Sequence, residues 1–356
     1  MNELIKKMKK IGSLSDSNVL SKSTLFNEKD SIVTDIPIIN IGLSGTLDKG
    51  LGSGLTFVAG PSKHYKSLLG LLLVKAYLNK YPEGVCLFYD SEFGITPNYI
   101  SSNGIDTDRI LHIPIVNIEE LKFDLSQKLD GIERGEKVII FIDSIGNLAS
   151  KKEADDALTE NAAADMTRAR QLKSLFRIVT PHFTKKDIPG VVVNHVYSGM
   201  GLYSPDVMGG GQGPMLSATQ VFFIGKSQEK EGTDIIGYNF TMNVEKSRFV
   251  REKSKFKFTV TYEHGIQKYS GLMDIALEAG VVIKPSKGYY QKVNLETGEP
   301  EGNKLRLSET NNKNFWNPIL ESSQFNEFIH KRYQVGYNSL IQNEENEENE
   351  QKTSIT

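Results

Sequence analysis

The octapeptide Gly60-Pro61-Ser62-Lys63-His64-Tyr65-Lys66-Ser67 lies between a short apolar run, Leu55 to Ala59, and the apolar stretch Leu68 to Val74. That order reads as strand, glycine-led loop, helix. In such a loop the backbone N–H groups curl round a polyphosphate, a lysine reaches the β- and γ-phosphates, and the closing hydroxyl ligates Mg²⁺. Lys66 and Ser67 stand in those last two places, so ATP with Mg²⁺ is the expected ligand. The usual pattern has glycine immediately before the lysine, whereas Tyr65 occupies that place here. A chance Gly–Lys–Ser turn is the competing explanation, and the strand before and helix after weigh against it.

Two carboxylates extend the pattern to an ATPase. The run Lys137 to Ile142 is a buried strand that ends in Asp143, where an acid orients Mg²⁺ and its waters. By itself this is a weak signal, since many parallel strands end in aspartate. The strand Val85 to Asp90 continues into Ser91 and Glu92, which places Glu92 just beyond a strand's carboxyl end, where open α/β sheets bind ligands. A carboxylate there can polarise an attacking water; an N-cap or a surface acid has the same spacing.

Positioning these groups takes a sheet. Apolar runs at Leu55–Ala59, Val85–Asp90, Val138–Asp143, Gly190–Asn194, Val221–Gly225 and Tyr238–Glu245 alternate with helical segments, a pattern of an α/β protein with a mostly parallel sheet. A helix with the apolar positions Met166, Ala169, Leu172, Phe176 and Val179 is expected to end at Pro181. Its other face carries Arg168, Arg170, Lys173 and Arg177, which can track a phosphate backbone or simply face water. Residues 271–340 read as a small lobe with a helix (Leu272–Ala279), a hairpin near Gly288 and a terminal helix (Gln324–Tyr333). The expected organisation is an N-terminal segment (1–30), an α/β core (31–270), a C-terminal lobe (271–340) and a disordered acidic tail (341–356).

With 356 residues, 38 % of them hydrophobic, the chain can bury a substantial core. No apolar run approaches the roughly 18 residues that cross a membrane, and the basic stretch Lys6 to Lys10 leads into no secretory apolar segment. A cytoplasmic protein without membrane contact is expected. One cysteine, Cys86, excludes an internal disulfide and reads as a buried spectator. The net charge of −2 conceals an asymmetry, because residues 343–350 alone hold five glutamates and the rest is mildly basic. Such a tail cannot form a core, and its composition suits a solubilising or a regulatory terminus equally. Leu4, Met8 and Ile11 lie at helical spacing on a stripe too small to stabilise a helix without something to dock on.

After His195 the chain runs through Gly199, Gly201, Gly209, Gly210, Gly211 and Gly213, with Tyr197, Met200, Tyr203 and Met208 interspersed and no regular period. A segment of this kind inside a compact domain is usually functional. Its glycines let backbone approach backbone, amides at the start of the next helix can hold phosphates, and Met208 or Tyr203 can wedge against bases. A further basic cluster comprises Lys246, Arg248, Arg251, Lys253, Lys255 and Lys257, read from composition as nucleic-acid contacts or a solvated hairpin.

The succession of Gly60 to Ser67, Leu87-Phe-Tyr-Asp90-Ser-Glu92, Phe141-Ile-Asp143-Ser144 and Val193-Asn194-His195 resembles the RecA-type DNA recombinases, most of all the phage branch typified by UvsX, over about residues 30–340. The resemblance implies a RecA-like P-loop ATPase core with a short N-terminal docking segment and a small C-terminal α/β lobe, and with these oligomerisation for residues 1–30 and DNA binding for 31–270. It implies that the loop from Gly60 to Ser67 and Lys66 bind ATP, Ser67 and Asp143 support Mg²⁺, Glu92 activates water and Tyr99 stacks on adenine. Without it, Tyr99 would read as a core-packing aromatic. His195 falls where RecA has a glutamine that senses the γ-phosphate, and a histidine can change charge near neutral pH. The glycine segment with Tyr203, Met208, Gly209, Gly210 and Gly211 corresponds to the second DNA loop, and Ser150–Ala163 to the first. Lys246 and Arg248 correspond to cations that reach a neighbouring subunit's ATP. The implied activity is ATP-dependent strand exchange between single-stranded DNA and a homologous duplex by a helical homo-filament, in recombination, repair and recombination-dependent replication, with a single-strand-binding protein and a loading mediator as further partners. A RecA-like ring helicase shares these motifs, and a small-molecule P-loop kinase shares the first of them.

Overall fold

The structure is a computed structural model that describes residues 2–13, 17–23, 30–158, 167–197, 199 and 206–336. The expected wedge Tyr203 and the acidic tail lie outside the described residues. Two helices, α1 (Glu3–Ile11) and α2 (Pro37–Ser44), precede the first strand of the sheet. There follow β1 (Gly54–Ala59), α3 (Lys66–Lys80), β2 (Val85–Asp90), α4 (Pro97–Ser102), β3 (Ile110–Pro114), α5 (Ile118–Gly131), β4 (Val138–Asp143), α6 (Lys151–Leu158), α7 (Thr167–Lys185) and β5 (Pro189–Asn194). Short strands β6 (Val196–Tyr197) and β7 (Val207–Met208) and helix α8 (Gln212–Ser217) lead to β8 (Gln220–Glu231), β9 (Asp234–Ser247), β10 (Lys255–Thr261) and β11 (Gly265–Ile266). The C-terminal lobe contains α9 (Leu272–Glu278), β12 (Val282–Ser286), β13 (Tyr289–Val293), β14 (Pro300–Arg306), α10 (Lys313–Leu320) and α11 (Ser323–Tyr333).

Nine strands form one sheet in the order β11-β10-β9-β8-β1-β5-β4-β2-β3. From β8 to β3 neighbouring strands are parallel, and β9, β10 and β11 extend the sheet antiparallel. The central strands are continuous apolar runs because helices cover both faces. On β4, Ile139 and Phe141 enter the core shared with α2, α3 and the lobe, while Ile140 and Ile142 face α5 and α7. The carboxyl ends of β1, β2, β4 and β5 thereby meet along one edge, and the loops that leave them carry the candidate site. Among the described residues no helix is long and apolar enough to cross a membrane.

Three expectations need correction. Helix α7 does not stop at Pro181 but continues to Lys185. Pro181 lies on the exposed side, and buried residues on either side of it, Phe176, Val179 and Phe183, hold the helix in register. The first half of the expected DNA loop, from Lys151 to Leu158, is the regular helix α6. The basic run after β9 is in part an amphipathic strand: on β10 Phe256 and Phe258 are buried while Lys255 and Lys257 face out.

Candidate nucleotide site and its link to the glycine segment

Tyr65 caps the start of α3 with φ 61° and ψ 15°, the left-handed conformation that glycine adopts without cost. For an L-residue this costs about 1–2 kcal/mol. The ring offsets it, lying 5.0 Å from that of Phe240 on β9 and 5.9 Å from that of Phe258 on β10, contacts of the kind worth about 0.5–1.5 kcal/mol each. Burial, with a smaller contribution from Tyr99, pushes its hydroxyl up to about 12. Tertiary packing thus supplies the turn that sequence assigns to glycine. Tyr65→Ala should therefore be less stable than Tyr65→Gly by about 1 kcal/mol, since alanine keeps the backbone cost and loses the ring. Urea denaturation of the two variants checks the order, and alanine proving the more stable would remove the strain from the account.

Lys66 is 6 % exposed and its amine donates to the carbonyl of Pro61 across the loop, at 2.8 Å. Burial draws its pKa down, and the nearby carboxylates of Glu92 and Asp143 oppose that shift. Asp143, at the end of β4, is buried and its Oδ1 has no hydrogen-bond partner. Burial pushes its carboxyl up to about 6 against a hydrogen bond from Ser67, and Glu92 and Asp90 push in the same direction as burial. An orphaned carboxylate oxygen beside a serine hydroxyl is a donor set suited to a hard cation such as Mg²⁺.

Three groups from two loops, those after β4 and β5, converge on one oxygen of Glu92. Its Oε1 accepts from the Ser144 hydroxyl at 2.7 Å and the Asn147 amide at 3.3 Å, and His195 Nε2 lies 3.3 Å away. The His195 contact, followed by that of Ser144, holds the carboxyl below its ordinary range in spite of desolvation. Asp90 fixes the turn beneath it: its Oδ1 accepts the backbone N–H groups of Glu92 (3.0 Å) and Phe93 (2.8 Å), and its Oδ2 lies 3.1 Å from His112 Nε2. Sequence reasoning assigned no role to Asp90, Ser144 or Asn147. For Asp90 a signal existed, an aspartate two residues ahead of a turn amide.

His195 also joins this centre to the glycine segment. Its carbonyl accepts from the N–H of Gly209 at 2.9 Å, and the side chain of Asn194 donates to the Gly209 carbonyl at 2.8 Å. Gly210 and Gly211 then turn the chain with φ 91° and 74°, which only glycine adopts readily. Met208 does not face solvent. It is 3 % exposed and packs into the core under α7, because β7 pairs with β6 and turns alternate side chains inward. Gly209 likewise spends its amide on His195.

Tyr99, on α4, is 40 % exposed and is not a core residue. It lines a cavity of about 530 Å³ with Tyr65, Ile105, Tyr262, His264 and Ile266. Lys246 and Arg248 lie at the end of β9, two strands from β1. The Lys246 amine donates to the carbonyls of Met215 (2.8 Å) and Leu216 (3.2 Å) in the last turn of α8, and burial followed by Arg248 lowers its pKa. Arg248 is exposed. The remaining cluster disperses, with Arg251 donating to carbonyls at the end of α11 and Lys253 paired with Glu245.

A phosphate-type loop on β1, acids on β2 and β4 and a histidine on β5, all at one sheet edge, define a RecA-like ATPase. The RecA N-terminal domain family matches residues 18–267, and the chain belongs to that family. The C-terminal domain of the bacteriophage T4 recombination and repair protein matches residues 269–329. The whole Recombination and repair protein of Enterobacteria phage T4 is 53 % identical over 321 residues, 89 % of this chain and 82 % of the phage protein. Protein RecA of Acinetobacter baylyi is 25 % identical over 299 residues, 82 % of this chain and 83 % of its own, and RecA of Acinetobacter baumannii is 25 % identical over 336 residues, 92 % of each chain.

Proposed function

We propose that this protein is a DNA-dependent ATPase of recombination and repair that assembles as a helical filament on single-stranded DNA, pairs it with a homologous duplex and exchanges strands in the host cytoplasm. The observation that carries this reading is the path from Glu92 through His195 to Gly209, because it joins a water-activating carboxylate directly to the segment assigned to DNA. Gly60 to Ser67 and Lys66 hold the phosphates, and Tyr99 and Tyr65 flank the adenine in the 530 Å³ cavity. Ser67 and Asp143 hold Mg²⁺, which neutralises phosphate charge. Glu92 directs Oε2 at the attacking water, since its three neighbours bind Oε1. His195 senses the γ-phosphate.

DNA contact falls to Tyr203 and to the backbone at Gly210 and Gly211, which grips phosphate without reading sequence. Homology is read by base pairing between the strands. Residues 1–30 tether one protomer to the next: the stripe Leu4, Ile5, Met8 and Ile11 on α1 is exposed, an apolar face that calls for a partner. A contact of this kind between identical subunits that does not close yields a filament. A single-strand-binding protein and a loading mediator complete the set of partners.

Electron microscopy with single-stranded DNA and a slowly hydrolysed ATP analogue, alongside a strand-exchange assay, tests the proposal. Extended helical filaments and joint molecules are expected. Closed rings with unwinding activity would replace it with a helicase, and DNA-independent turnover of a small phosphoryl acceptor would replace it with a kinase.

A further inference from the structure

Arg168, the second residue of α7, belongs by sequence to the basic face that can track phosphate. The structure gives its guanidinium other work. Nε donates to the carbonyl of Leu148 at 2.8 Å, and Nη2 to those of Ile145 at 3.0 Å and Gly146 at 2.8 Å. Three carbonyls within four consecutive residues are thereby gathered on one planar fork, a geometry that a lysine's point charge cannot reproduce.

The gathered loop, 145–148, begins two residues after Asp143 and touches both Glu92 and His195. Asn147, at its exposed crest, donates to Glu92 Oε1. Gly146 is pressed on the imidazole of His195, where a Cβ would stand 2.1 Å from the ring. Ser144, immediately before the loop, holds the same carboxylate oxygen. Two of the three contacts on Oε1 therefore come from residues in or next to the loop that Arg168 clamps, and the third is wedged against it. The exposed residues Arg170 and Lys173 follow on the same helix, so a strand seated on α7 bears on the helix that carries the clamp.

We infer that Arg168 is a positioning residue for ATP hydrolysis: by clamping 145–148 to the start of α7 it sets the orientation of Glu92 and His195, and it makes the placement of α7 a determinant of turnover. The inference rests on the reading of Glu92 as the group that directs water. Misplacing a reacting group by about 1 Å can cost about a hundredfold in rate, and a direct phosphate contact has a different signature. In single-strand binding each phosphate contact contributes about 0.7 to the slope of log affinity against log salt.

The test uses the full chain with Arg168→Ala, Arg168→Lys and Glu92→Gln. Three quantities are measured: kcat for hydrolysis at saturating ATP and single-stranded DNA, affinity for a slowly hydrolysed ATP analogue, and the salt slope of single-strand binding. Arg168→Ala is expected to lose about tenfold to a hundredfold in kcat, with analogue affinity within about twofold and an unchanged salt slope; Arg168→Lys should fall between it and the parent. Wild-type kcat in Arg168→Ala overturns the inference, as does a salt slope reduced by about 0.7 with kcat restored at saturating DNA, which marks a phosphate contact. Should the alanine variant fail to bind the analogue, the lysine variant decides, because full turnover there is incompatible with a three-carbonyl clamp. Rapid hydrolysis by Glu92→Gln removes the underlying assignment, whereas an inactive Glu92→Gln beside a fully active Arg168→Ala removes only the clamp.

Discussion

Lys66→Ala is expected to abolish ATP binding and strand exchange, whereas Glu92→Gln should bind ATP as the parent does and hydrolyse it about 10²–10⁴-fold more slowly. The two residues act on different states. The Lys66 amine, at 2.8 Å from the Pro61 carbonyl, already lies over the loop that receives the phosphates, so its loss removes ground-state binding as well as rate. It also removes the cation that faces the two crowded carboxylates of Glu92 and Asp143. Glu92, in the proposed role, acts only on the attacking water. Glutamine keeps an Oε1 that can accept from Ser144 and Asn147, but it has no charge with which to polarise water. Nucleotide titrations and single-turnover hydrolysis separate the two, and filaments of Glu92→Gln should persist on DNA because turnover no longer releases them. A Glu92→Gln protein that hydrolyses ATP at the parental rate would exclude this carboxylate as the base.

How much of this could be read from the chain depended on whether a signal was local. Strands β1, β2, β4 and β5 were legible because each is buried on both faces and reads as an unbroken apolar run. The edge strand β3 was not, since only Ile110 and Ile113 pack against the core and they do so on opposite faces, and neither was β10, whose lysines hid a Phe256/Phe258 face. Proline at 181 suggested a break that buried neighbours on both sides override. At the site, strand ends marked the positions of Lys66, Ser67, Glu92 and Asp143, while the roles of the two acids were assigned only by the resemblance. Their partners could not be placed: Tyr65 is supported by Phe240 and Phe258, far along the chain, and Glu92 is held from two other loops, those after β4 and β5, whose convergence no spacing announces. Met208 fell inward because a two-residue pairing between β6 and β7, too short to leave a periodic signal, fixes which way it points.

Lys246→Ala and Arg248→Ala should each bind ATP nearly normally as isolated subunits yet lose DNA-stimulated hydrolysis by about 10³-fold or more, the effect of removing a cation supplied to a neighbour's phosphates. Neither residue lies at the loop of its own subunit; both sit at the end of β9, with Arg248 exposed. If they act across an interface, mixing either variant with Glu92→Gln recovers activity, because half of the mixed interfaces pair an intact Glu92 with intact cations. The two variants should also differ from each other. Lys246 secures the carbonyls of Met215 and Leu216 at the end of α8, the helix that follows Gly209 to Gly211, so its removal loosens the glycine segment and weakens single-strand binding even without ATP. Arg248→Ala leaves that contact in place and should keep the parental DNA affinity under the same conditions. Hydrolysis assays on mixed assemblies, shown by microscopy to contain both variants, measure the first effect, and nucleotide-free DNA titrations measure the second. Mixed filaments without recovered hydrolysis would confine both cations to their own subunit, and equal DNA affinity in the two variants would sever Lys246 from α8. Recovery together with a DNA defect in Lys246→Ala alone would make this lysine the point at which a neighbour's nucleotide and the subunit's own DNA segment compete for one charge.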